Sequence, residues 1–113
     1  MSNDTVVALE REIQAAKQAI EVGQALDRLK NNRDFKLVIT TGYFTEEAVR
    51  LVHLKAMPNM ARPESQASII QQIDAIGTFY GYLLKVEQQA QLAGAKVAAD
   101  EDTLEELAAE ELQ

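Results

Sequence analysis

Ser68-Ile69-Ile70-Gln71-Gln72-Ile73-Asp74-Ala75-Ile76-Gly77-Thr78-Phe79-Tyr80-Gly81-Tyr82-Leu83-Leu84 is the stretch that decides the fold class. Ile69, Ile73, Ile76, Tyr80 and Leu83 recur at alternating four- and three-residue steps, with Ile70 and Leu84 widening the stripe. That period marks an amphipathic helix. Pro63 suits its first turn, and the Gln- and Ala-rich sequence beyond carries it to about Ala99, with fraying after Gly94.

A second seam of the same kind lies at the other end of the chain. Val6, Leu9, Ile13, Ala16 and Ile20 alternate at three and four residues behind Asp4 or Thr5 as cap, which predicts a helix to about Lys30. Gly23 and Asp27 interrupt the seam, while Leu26 and Leu29 resume it on a shifted stripe, so the packing partner changes near Gly23. The expected fold is all-α, an elongated helical hairpin or three-helix arrangement with two long amphipathic helices. Self-association through these seams is expected, because they offer more apolar surface than a three-helix monomer readily hides.

Between the seams, Asn31-Asn32 is a stop and Asp34 a cap for a helix starting at Phe35. Val38-Ile39-Thr40-Thr41 suits a strand by propensity, yet no second strand-like run exists to pair with it, so helix is the reading. Gly42 is expected to break or kink this helix, with a fresh N-terminus at Thr45-Glu46-Glu47. Met57-Pro58-Asn59-Met60-Ala61-Arg62-Pro63 is a loop, since each proline disfavours helix in the residue before it.

The charge is unevenly placed. Residues 100–113 carry seven acids and no base, whereas residues 1–99 hold eleven of each, so the net charge of −7 belongs to the last fourteen residues. This divides the chain into a helical body, 1–99, and an acidic tail, 100–113. Thr103 and Glu106 form a possible capping box, and Leu104, Leu107 and Leu112 follow helical spacing. Such a tail is either a short docking helix or a solubility device.

No chemistry is nominated. The absence of Cys excludes disulfides, thiolate metal sites and a cysteine nucleophile. His53, the one histidine, has no partner in sequence that would make it a general base, and reads as structural. Glu47 and His53 miss the Glu-x-x-His spacing of helical metal sites, and Glu46 with Arg50 reads as a surface ion pair. The glycines are scattered, which argues against a phosphate loop. No cofactor, metal or catalytic residue is therefore expected. Arg28, Lys30, Arg33 and Lys36 form a basic stretch diluted by Asp27 and Asp34; it argues only weakly for nucleic acid and equally fits an acidic segment of this chain or a neighbour. Gly77 and Gly81 leave a smooth strip among three aromatics, read first as a contact within the chain and second as a place for another backbone. No apolar run is long enough for a membrane helix, and the chain reads as soluble and intracellular.

Leu26-Asp27-Arg28-Leu29, the run from Asn32 to Ile39, Gly42-Tyr43-Phe44, the run from Glu47 to His53 and Ile73-Asp74-Ala75-Ile76-Gly77 together resemble small helical proteins from the virion-gene clusters of tailed bacteriophages. The resemblance covers about half the chain. It implies a phage protein made in the bacterial cytoplasm, then a minor component or assembly factor of the head or connector. The expected function is non-enzymatic binding of protein subunits, its own copies or other virion proteins, through Val6, Leu9, Ile13, Ile20, Ile69, Ile73, Ile76, Tyr80, Leu83, Leu104, Leu107 and Leu112. The alternative is a regulatory adaptor or inhibitor whose acidic tail occupies a basic groove on a host protein.

Overall fold

The computed structural model describes residues 3–112, and among these the elements are all helical, with no strand. The order is α1 (Asn3–Lys30), α2 (Arg33–Phe35), a π-helix (Lys36–Glu47), α3 (Ala48–Lys55), a 3₁₀ turn (Pro58–Met60) and α4 (Pro63–Glu111). The all-α expectation holds. Two compact units result, one of Met1–Leu26 with Lys85–Gln113, the other of Asp27–Leu84.

In the first unit α1 and the later part of α4 run antiparallel. Glu12 meets Lys96 and Asp100, whereas Gly23 meets Ala90, so partners descend along α4 as α1 ascends. Ile13, Ala16, Gly23 and Leu26 are the buried residues of α1, and Val86, Ala93 and Asp100 those of α4 in this unit. Gly23 does not interrupt the seam as its residue type suggests. A Cβ placed on it would collide with the Cβ of Ala90, so the glycine is where the two helices come closest. The expected fraying after Gly94 and the capping box at Thr103 do not occur. Helix α4 continues to Glu111, and the Thr103 hydroxyl donates to the Ala99 carbonyl, a mid-helix bond at 3.0 Å.

The second unit begins at a cap. Asn32 is extended, with φ −71° and ψ 129°, and its Oδ1 accepts from the backbone N–H groups of Asp34 and Phe35 at 2.9 and 3.0 Å. Asn32 therefore caps this helix instead of Asp34, because only a residue outside the helical backbone can fold its side chain over the first free N–H groups.

The expected break at Gly42 is also absent. The chain widens instead into a twelve-residue π-helix that runs directly into α3. Four successive β-branched residues, Val38 to Thr41, crowd an ordinary turn, and the wider i→i+5 spacing relieves them. Thr45 Oγ1 donates to the Thr40 carbonyl five residues back, and a Cβ on Gly42 would sit 3.0 Å from the Leu37 carbonyl. Glu47 lies in helical conformation and caps nothing. The ion pair on this surface joins Arg50 to Glu47, three residues apart, and not to Glu46.

Leu51, 1% exposed, forms the core of the second unit with Ile69 and Ile76 of α4. Tyr43, Phe44, Ala48, Leu54, Met60 and Ile73 pack around them. The loop before α4 is tied down by the Gln66 side-chain amide, which donates to the carbonyls of Lys55 (2.9 Å) and Met60 (2.8 Å). These bonds satisfy a carbonyl at the end of α3 and one in the 3₁₀ turn.

Replacing glycine by alanine inside a helix ordinarily stabilises it by about 1 kcal/mol. Gly23→Ala is expected to do the reverse and cost about 1–3 kcal/mol by overpacking. Ala90→Gly in the same chain should restore part of the loss; urea melts of the two single variants and the double variant measure the coupling. Leu51→Ala is expected to cost about 2–5 kcal/mol in the same assay, since it empties the most buried position of the protein.

Candidate functional site

The second unit presents an open groove of about 390 Å³ lined by Thr40, Phe44, Thr45, Ile76, Gly77 and Tyr80. The i→i+5 turn makes it. Thr40 and Thr45 are five apart, and in the wide helix they stand over one another, with Phe44 beside them. The wall on α4 is the step from Ile76 to Tyr80, with Gly77 leaving the floor bare. Nothing lies within 4 Å of the position a Cβ would take on Gly77 or Gly81. The reading of these glycines as a contact within the chain is therefore overturned; their strip is uncovered.

Aromatic packing sets the groove's shape. Phe44 meets Phe79 and Tyr80 edge-on, with ring centroids 5.3 Å apart in both pairs, and Tyr43 lies 6.1 Å from Phe79. These are favourable quadrupole geometries that hold Phe44 in place while leaving Tyr80 half open. No charged side chain lines the groove, and the Thr45 hydroxyl is already engaged with backbone. Such a lining suits an apolar or aromatic side chain of another protein.

Elsewhere on the π-helix, Leu37 and Val38 are 67% and 62% exposed. They directly follow Arg33 and Lys36, which are exposed as well. His53 is exposed on α3. Among the described residues no three His, Cys, Asp or Glu side chains are grouped to hold a metal, and no helix is long and apolar enough to cross a membrane.

The residues expected from sequence to mediate interaction divide into three groups. Ile13, Ile69 and Ile76 are buried within the chain, and Val6, Leu9, Ile20, Ile73, Leu83, Leu104 and Leu107 are half-buried. Tyr80 and Leu112 are exposed. Of the set, Ile69, Ile73 and Ile76 are brought together in one core, and Ile76 and Tyr80 reach the groove. Thr40, Phe44, Thr45 and Gly77 are groove residues outside that set. Of these, Thr45 stands five residues from Thr40, a spacing that a template of 3.6 residues per turn does not bring to one face.

The first unit holds an unusual polar site. Asp100 is 8% exposed, lies within hydrogen-bonding reach of Glu12, and has one carboxylate oxygen buried without a donor among the described residues. Two carboxylates offer each other only acceptors, so a hydrogen bond between them forms only when one of the two holds a proton. Burial first, then the hydrogen bond to Glu12, pushes the Asp100 carboxyl up, against the pull of the Lys96 ammonium. Glu12 moves the opposite way, held down first by its bond to Lys96 Nζ (3.2 Å) and then by that to Asp100. Compared with known proteins, this chain matches no protein-family model, no curated protein and no solved structure.

The raised Asp100 carboxyl gives stability that is complete in acid and lost as pH rises through its folded value; the lowered Glu12 gives stability present at neutral pH and lost as pH falls through its own. Asp100→Asn keeps a donor towards Glu12 and removes the buried charge. The variant is expected to melt above the wild type at neutral pH, with the difference shrinking as pH falls and the wild-type carboxyl takes up its proton. Thermal melts followed by circular dichroism across this range check it; a difference that does not change with pH would show that the carboxyl pair does not hold a proton.

Proposed function

We propose that this protein is a non-enzymatic, helical interaction protein that serves as a virion-associated or assembly component of a tailed bacteriophage, binding other protein subunits at the groove of the second unit. The observation that carries the binding role is the uncovered aromatic groove. Exposed apolar surface of this kind is the composition of a protein-binding patch. The phage setting rests on the sequence resemblance. The work the groove can do is steric and hydrophobic: it seats an apolar anchor and excludes water around it.

A second reading has its own observation. Six of the seven acids after Ala99 are exposed on α4, which suits an adaptor or inhibitor that occupies a basic surface on a host protein.

Detection of the chain by mass spectrometry in purified particles tests the first reading, and its absence from particles together with capture on a basic host protein would favour the second. Gly77→Phe separates binding from folding. The added ring enters the groove where nothing stands within 4 Å, so the melting temperature is expected to stay close to wild type while incorporation into particles falls at least about tenfold, the loss of one interface anchor. Normal incorporation of a folded Gly77→Phe protein would remove the groove from the binding surface.

A further inference from the structure

The charge of this protein is segregated by unit. Residues 27–84 carry seven bases and six acids, whereas residues 1–26 with 85–113 carry twelve acids and four bases. Within each unit the charges cluster further. Arg28, Lys30, Arg33 and Lys36 lie close together in sequence at the end of α1 and the start of the following helix, and all are exposed. Glu101, Asp102, Glu105, Glu106, Glu110 and Glu111 lie along the final turns of α4, also exposed.

The apolar residues complete the match. Leu37 stands one turn beyond Arg33, with Lys36 adjoining, and is two-thirds exposed. Asp34 is offset from this row, towards Val38. On α4, Glu101, Glu105 and Ala108 succeed one another at four- and three-residue steps and so share one row, with Leu112 in the turn just beyond the helix; all four are exposed. One row reads base, base, leucine; the other reads acid, acid, alanine, with leucine just beyond. Leu104 and Leu107 are half-buried in the first unit, so the acidic row is held on a packed helix and pays little ordering entropy on docking.

From this complementarity we propose that the partner docking on Arg33, Lys36 and Leu37 is a second copy of this chain, through the Glu101–Glu105 row of its α4. The inference rests on the reading of the protein as an interaction component and names its first partner. Opposite charges on the rows steer the two copies together and set register, and Leu37 against Ala108 and Leu112 supplies buried apolar area. The contact weakens as salt shortens the reach of charge from about 10 Å at 0.1 M to about 3 Å at 1 M.

Sedimentation velocity on the full chain at low salt is expected to show self-association at tens of micromolar that is lost at high salt. Arg33→Glu with Lys36→Glu, in one variant, and Glu101→Lys with Glu105→Lys, in another, should each be monomeric and as helical as wild type, since all four positions are exposed. Mixing the two variants should restore a complex, because the intact acidic row of the first meets the intact basic row of the second. A monomeric wild type at low salt, association indifferent to both reversals, or no complex on mixing would each overturn the proposal. A wild type that is monomeric yet present in purified particles overturns self-docking alone; one that self-associates but is absent from particles supports self-docking while the virion reading fails.

Discussion

The apolar row of α4 is the constraint from which both units are built. Its buried members are Ile69, Ile76, Val86, Ala93 and Asp100, which fall seven residues apart within each unit and ten apart between Ile76 and Val86. A repeat of seven keeps one side of a helix on a partner, and an insertion of three locally overwinds that register. The extra step falls among Gly77, Tyr80 and Gly81, the residues left uncovered. The same sequence feature that carries the seam from one unit to the next thus leaves the aromatic groove open.

Within the first unit the seam is built from small and polar residues as much as large ones. Gly23 against Ala90 brings the helix axes close, which increases dispersion contacts along the row but leaves no room to adapt. Asp100 then occupies a seam position that an aliphatic residue would ordinarily fill. Its pairing with Glu12 trades some stability at neutral pH for a hydrogen bond that fits one register of the two helices, a use of buried polar groups well attested in coiled coils.

Helix content and the two apolar seams were legible in the sequence because period is a strong signal, and the loop around Pro58 because proline restricts its neighbours on both sides. What escaped was local chemistry decided by tertiary context. Asn32 and Asp34 are both good caps, and only the backbone at Asn32 distinguishes them. Gly42 reads as a breaker by propensity, yet the chain passes through it as a continuous π-helix. Because the π-helix changes the phase, Thr45 joins Thr40 and Phe44 at a groove from which ordinary helical spacing would turn it away. The acids from Asp100 onward read as a solvated end, while Asp100, Leu104 and Leu107 continue the seam.

The pairing of Glu12 with Lys96 and Asp100 has a consequence for how the chain acquires its structure during synthesis. The second unit closes within one continuous stretch of chain, from Gln66 on Lys55 and Met60 to Phe44 on Phe79 and Tyr80, all much nearer in sequence than Glu12 is to Lys96. Contacts of such short separation form early. The seam of α1, by contrast, is made before residues 86 to 107, the partners it packs against. Throughout that interval Ile13 and Leu26 have no native partner, and a neighbouring nascent chain or a chaperone is the surface available to them. The first unit therefore cannot close until both of its chain segments have been made, and its hydrophobic seam is exposed until then.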